Sequence, residues 1–317
     1  MDNEHFILDF CKQNSLDLIE ILNYNNRKDT SVFSAIEKTS SQKVIIKFCG
    51  KNTSQKIYES FLNEKNFYES KIFDYAPNLI KSNSNYIMLE YLEHIPLTEY
   101  VHNEFFIKNE NPNLSKLLDE SKFMLNSFHS LNILNHKMKI DSEIVVDKLF
   151  DRLGNLISSG PKNTEKIPFE SFVLRQIFKI NTSKIQKKFF SIVVSWKSND
   201  VQFLSRYGHN DLHCNNVLIS DTLKLIDFEN LTSPGIWLSD ILYFYATMYA
   251  LFSSKPIFQN QIQKYVISLI IEKDSRLADD AEYLVNLFFS AADVNSRFRL
   301  KNQGFNFFKI MKFFFRS

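Results

Sequence analysis

Between Arg206 and Leu231 the chain reads RYGHNDLHCNNVLISDTLKLIDFENL, which sets His209, Asp211, His213, Asn215, Asn216, Asp227 and Glu229 around two short apolar runs. Carboxylates and amides at this density are the groups that hold a hard cation and move a proton. The runs VLI and KLI flank a Ser-Asp-Thr turn, which predicts a tight hairpin. With the turn centred between Asp221 and Thr222, Leu218 faces Leu225, Val217 faces Ile226 and Asn216 faces Asp227. Directly opposed residues have Cβ atoms about 5 Å apart, close enough for an amide oxygen and a carboxylate to share one Mg²⁺. So sparse a pair suits a metal held jointly with substrate phosphates better than a closed cage. Asp211, five residues before Asn216 on the loop entering the hairpin, is then placed to accept a proton from an attacking hydroxyl.

Other elements must position these groups. SVFSAIEKT and KVIIKFC flank SSQ, the pattern of an antiparallel hairpin, and put Ile45 and Lys47 on one face. From Thr53 to Phe73, after an N-terminal helical stretch and this hairpin, Ile57, Phe61, Tyr68 and Ile72 recur at helical spacing and define an inward stripe that includes Glu64. A carboxylate on such a stripe is costly unless a cation meets it. NYIMLEYLEHIPL reads as a strand entering an extended connector that ends at Pro96. Beyond it the periodicity predicts helices over 117–134, 141–157, 170–196, 236–252, 257–272 and 277–298. The expected architecture is α+β with two lobes, a small β-rich one over residues 1–91 and a larger, mainly helical one over 92–317.

A chain of 317 residues with 44% hydrophobic side chains can bury a core for two such lobes. Its net charge of +2 argues against a nucleic-acid partner. The opening MDNEHFILDF lacks the features of a secretory signal, and Cys11, Cys49 and Cys214 make no paired framework, so a reducing cytoplasm is expected. The run from Ile241 to Ser254 falls short of the roughly 20 residues a bilayer requires, and no transmembrane segment is expected. Residues 294–317 contain no acid but carry Arg297, Arg299, Lys301, Lys309, Lys312 and Arg316 among phenylalanines. They read either as a peripheral contact with an anionic membrane or a contact with a phosphorylated substrate, or as an amphipathic helix packed on the larger lobe. Glu272, Asp274, Asp279, Asp280 and Glu282 read as a solvated surface or as recognition for a cationic amine.

HNDLHCNN resembles the H-x-D-x-x-x-x-N catalytic loop of the kinase-like superfamily, and LIDFE resembles its metal-binding strand end. The form H-x-D-L-H-x-x-N followed by I-D-F-E is similar to the aminoglycoside phosphotransferase and choline/ethanolamine kinase branch. The resemblance implies a bilobal protein-kinase-like fold that moves the γ-phosphoryl of ATP to a hydroxyl of a sugar, amino alcohol or aminoglycoside-like molecule. It makes Asp211 the catalytic base and Asn216 and Asp227 the Mg²⁺ ligands. Lys47 would pair with the nucleotide phosphates, Glu64 would hold Lys47, Ile45 would cover the adenine, and Glu90 to Leu92 would form the hinge at its edge. Asp240 would brace the backbone of the catalytic loop, which His209 would prop. The sequence departs from the family in having no glycine before Gly50, so NYNNRKDTS would have to cradle phosphate with a turn at Asn25, Asn26 or Ser31. That departure admits a rival expectation, a catalytically inactive nucleotide- or partner-binding module. The basic tail admits another, a kinase of a membrane-linked glycan.

Overall fold

Strand alternation organises the first part of the chain. In the structure, a computed structural model describing residues 3–25, 29–50, 52–108, 113–131, 139–158, 169–204 and 206–299, five strands form one antiparallel sheet. They are β1 (Leu16–Asn25), β2 (Thr30–Glu37), β3 (Lys43–Cys49), β4 (Leu79–Ser82) and β5 (Tyr86–Glu90), in the order β1-β2-β3-β5-β4. Because successive side chains point to opposite faces, Val44 and Ile46 of β3 are buried while Ile45 and Lys47 share the other, less buried face. The buried face packs with helix α1 (Asn3–Gln13) through Ile7, Phe10, Phe33, Ile46, Tyr86 and Met88. β1 is absent from the sequence reading. Two register shifts along it, between Leu18 and Glu20 and between Ile21 and Asn23, break the alternation that announces a strand.

Helix α2 (Gln55–Ser70) buries Phe61, Glu64, Phe67 and Tyr68. It ends earlier than its apolar periodicity suggests, because Lys71 turns left-handed at φ 50. Ile72, expected on the inward stripe, therefore falls outside the helix and is 42% exposed.

The chain divides into two compact units, Met1–Ile95 with Val217–Leu231, and Pro96–Asn216 with Thr232–Ser317. The hairpin of Val217–Ile219 and Leu223–Leu225 thus belongs with the sheet. Its Leu225 N–H donates to the Tyr75 carbonyl at 2.7 Å. Beyond it Phe228 is fully buried, with its ring centroid 4.3 Å from that of Phe67 and 5.4 Å from that of Tyr68.

The second unit contains α3 (Leu97–His102), α4 (Leu114–Ser130), α5 (Ser142–Ser158), α6 (Phe169–Ser198), α7 (Trp237–Leu251), α8 (Pro256–Lys273) and α9 (Ala278–Arg299). The long apolar run of the sequence is α7, which packs against α5, α8 and α9. Its Ile241, Leu242, Phe244, Tyr245 and Met248 have no exposed surface, and each burial contributes about 1.5–3 kcal/mol. No helix among the described residues is long and apolar enough to cross a membrane. Upstream of α7, strands Arg206–Gly208 and Thr232–Gly235 pair so closely that a Cβ on Gly235 would lie 1.8 Å from the Gly208 nitrogen. In the basic tail, α9 carries the backbone to Arg299; residues 300–317 and the side chains from 294 onward lie outside the described residues.

Candidate active site

In the first unit β3 and α2 bring Lys47 and Glu64 together. The Lys47 ammonium donates to Glu64 Oε1 at 2.7 Å and to Asp227 Oδ1 at 2.9 Å. Glu64 is only 2% exposed, whereas Lys47 and Asp227 have 19% and 32% of their side-chain surface open. Burial works against the Lys47 cation, but Glu64 and Asp227 outweigh it and hold the lysine above its ordinary range, so it stays charged. Burial pushes the Glu64 carboxyl up, against the pull of Lys47. Glu64 Oε1 also accepts the Phe228 N–H at 3.2 Å, and the Ser60 hydroxyl donates to the Glu229 carbonyl. These bonds tie α2 to the residues after the hairpin, where Asp227 adopts φ 66 in the left-handed region. The neighbouring Tyr68 hydroxyl is buried without a hydrogen-bond partner.

Ile45 is half-buried on the same face of β3 as Lys47 and pairs with Leu89 of β5. After β5, the Glu90 N–H donates to the Asn78 carbonyl and the Tyr91 N–H to the Lys43 carbonyl, at 3.0 and 3.3 Å. The Leu92 N–H makes no hydrogen bond among the described residues. In the β1–β2 turn Asn25 and Ser31 are not free to form a phosphate cradle, because they lie in the strand ladder opposite Thr30 and Tyr24. The left-handed position in this turn is Asp29, φ 50, whose carboxylate accepts the Asn52 N–H at 2.9 Å. Asn26, Arg27 and Lys28 lie outside the described residues.

The hairpin register differs from the expected one. Val217 pairs with Leu225, Leu218 with Lys224 and Ile219 with Leu223. The turn is centred on Asp221, with the Ser220 N–H donating to the Thr222 carbonyl, and this one-residue loop change moves every pair by one. Asn216 and Asp227 therefore do not oppose each other across the ladder, which ends at Val217 and Leu225.

In the second unit the loop before the hairpin is held by Asp240, a first-turn residue of α7 that is 2% exposed. The Asp240 carboxylate accepts the His209 N–H at 3.0 Å and the Asn210 N–H at 3.2 Å, and its Oδ2 lies 3.3 Å from His129 Nε2. Burial would raise this carboxyl, but the hydrogen bond and charge of His129, with the contribution of His209, outweigh it and hold it below the ordinary aspartate value. Asn210 takes φ 59, and its amide donates to the Gly208 carbonyl at 3.0 Å. Asp211 follows, with 35% of its side chain exposed and Oδ2 3.9 Å from His213 Nε2. The Asn216 amide nitrogen donates to the Asp211 carbonyl at 2.9 Å, leaving Oδ1 as the acceptor of that side chain. Cys214 is buried against Thr247, and burial pushes its thiol up to about 12, which disfavours the reactive thiolate.

His129 and Asn210 escaped the sequence reading, and Tyr68 entered it only as part of the apolar stripe of α2. A signal for His129 existed: it sits beside Leu125 and Phe128 on the buried stripe of α4, just as Glu64 sits on the stripe of α2. For Asn210 the signal was its place before Asp211 in a loop that needs a left-handed residue.

No protein-family model matches the sequence, and no curated protein matches it in sequence either. Solved structures do match in fold. The choline kinase of Cryptosporidium parvum Iowa II superposes with a TM-score of 0.50 at 14% identity, covering 92% of this chain and 87% of that one. Macrolide 2'-phosphotransferase type I gives 0.50 at 10% identity over 96% and 94%. The macrolide 2'-phosphotransferase of Brachybacterium faecium gives 0.50 at 13% identity over 93% and 92%. The chain therefore has the bilobal α+β kinase-like fold of these proteins.

Proposed function

We propose that this chain is an ATP-dependent phosphotransferase that moves the γ-phosphoryl group to a hydroxyl of a small molecule. The observation that carries the reading is the Lys47–Glu64–Asp227 triad. A purely structural ion pair would need one carboxylate, and here one ammonium joins a buried glutamate to an aspartate that still faces solvent. Lys47 orients the nucleotide phosphates, and Glu64 keeps Lys47 charged and aimed. Ile45 covers the adenine, whose edge meets the backbone of Glu90 to Leu92, with the Leu92 N–H as the available donor. The names of the fold neighbours, a choline kinase and two macrolide phosphotransferases, support a small-molecule acceptor.

Asn216 Oδ1 and the Asp227 carboxylate are hard oxygen donors of the type Mg²⁺ takes. So few protein donors would suit an ion that shares its ligands with phosphate oxygens and water. When bound, Mg²⁺ neutralises charge on the phosphates. Asp211 accepts the acceptor hydroxyl's proton as the new oxygen–phosphorus bond forms and the β–γ bridge breaks. Asp240, His129 and His209 position the loop that presents Asp211. The three cysteines are unpaired and buried, in keeping with action in a reducing cytoplasm.

Asp211→Asn is expected to lower turnover about a hundredfold or more, while Mg-ATP still raises the Tm of the variant. Turnover at the wild-type rate would refute the base assignment. No rise in the wild-type Tm at millimolar Mg-ATP would refute the nucleotide reading itself.

A further inference from the structure

The side of α7 that faces the catalytic loop has a feature the proposed reaction does not use. Asp240, Tyr243, Phe244 and Thr247 fall on one side of this helix at helical spacing. Asp240 holds the amides of His209 and Asn210, and one to two turns on Thr247 Oγ1 accepts the Cys214 N–H at 3.3 Å. Tyr243, between those anchors, therefore lies abreast of Asp211 to His213. Phe244 is fully buried, whereas Tyr243 keeps part of its ring open.

Over that ring sits a cation. Arg152 of α5 places Cζ 5.5 Å from the Tyr243 centroid. Lys148, one turn earlier on the same face of α5, is also half-buried and lies within the field of Asp240. The acids of α5 in this stretch, Glu143, Asp147 and Asp151, are on its exposed side. Asp240 does not require Arg152 for its neutralisation, because that carboxylate already receives two backbone N–H groups and faces His129. Of the acids that could recognise an amine, Glu272 pairs with Lys122 at 2.6 Å, Asp274 with Arg276 at 2.7 Å, and Asp280 accepts the Trp196 N–H at 2.9 Å, while Asp279 and Glu282 are exposed on α9.

Building on the phosphotransferase reading, we infer that the acceptor is an anionic hydroxyl compound whose carboxylate or phosphate is held by Arg152. A guanidinium resting on an aromatic ring is oriented in advance and can meet either oxyanion with two parallel N–H groups.

The test is ADP release by the full chain with matched acceptors: glycerol as the neutral compound, glycerate and glycerol 3-phosphate as the two anions, and choline as the cation. One charge-assisted contact predicts kcat/KM about tenfold or more higher for an anion than for glycerol or choline, and the preferred anion separates carboxylate from phosphate recognition. In Arg152→Gln that preference should fall by about the same factor, and Arg152→Lys should restore part of it. A preference for choline or glycerol overturns the inference but leaves the phosphotransferase reading intact, as does an equal loss for charged and neutral acceptors in Arg152→Gln. If none of the four is turned over, inorganic phosphate titrated into wild type and Arg152→Gln decides: affinity about tenfold weaker in the variant supports the site, and equal or absent binding sinks it. Mg-ATP thermal shift of the wild-type chain separately reports on the underlying reading.

Discussion

Glu64 and Asp240 are buried to the same degree, 2% exposed each, in different units of the chain, and they are satisfied in opposite ways. Glu64 meets a side-chain ammonium that it shares with the partly exposed Asp227. Asp240 meets two fixed backbone N–H groups and the imidazole of His129. Their acidities shift in opposite directions: burial wins at Glu64 and pushes it up, while hydrogen bonding wins at Asp240 and holds it down. Under the proposed reaction, a carboxylate that holds a lysine ready for an incoming phosphate is best matched by a side chain that can be redirected. One that must freeze a loop is best matched by the loop's own backbone. The same residue chemistry serves a movable charge in one place and a fixed scaffold in the other.

The largest break in this comparison comes from Lys47→Met, which leaves two carboxylates without their common cation. Loss of one partner of a buried pair costs about 3–5 kcal/mol, readable as a lower urea midpoint at neutral pH. Adding Glu64→Leu should return part of that loss by removing the uncompensated charge. A single variant as stable as wild type would show that Glu64 already carries its proton and needs no cation.

Asp240→Asn tests the other side. Asp240 Oδ1 and Oδ2 each accept a backbone N–H, so an amide must turn its NH₂ toward one of those donors. The expected loss is about 2 kcal/mol, as for one buried donor left unmet. His129→Gln removes the imidazole while leaving both backbone bonds, and should cost about 1 kcal/mol. Equal losses in the two variants would mean that the imidazole, not the backbone, is the principal partner of Asp240.

The two sides also differ in how openly the sequence displays them. Lys47 was legible because β3 alternates cleanly, and Glu64 because a charge on an apolar helical stripe demands a partner. The same logic applied to α4 would have found His129, which is a polar residue among Leu125 and Phe128. The loop motif placed Asp211, Asn216 and Asp227 in order, but their opposition across the hairpin failed because a three-residue turn and a two-residue turn differ by one register step. Side-chain patterning does not distinguish those turns in so short a hairpin. Nor could local patterns reveal that Val217–Leu231 groups with the sheet. That depends on contacts such as Leu225 with Tyr75 and Phe228 with Phe67, which are far apart in the chain.

The finest separation of the two carboxylates is by pH. Asp240 has its pKa depressed below the ordinary 3.8, so its contribution is complete above that value and is lost as pH falls through the folded-state pKa. The penalty of Asp240→Asn relative to wild type should therefore be constant near neutrality and shrink only below pH 3.8. Glu64 has the opposite sign. Its pKa is raised from 4.5 by burial, and Lys47→Met removes the ammonium that opposes that rise, so the cost of the buried charge is absent below 4.5 and grows as pH climbs toward the folded-state pKa. The penalty of Lys47→Met should accordingly begin to shrink, on acidification, while that of Asp240→Asn is still whole. Urea midpoints of the three proteins between neutral pH and pH 3 would resolve the two windows, and a common window would mean that both carboxylates are satisfied by the same kind of partner.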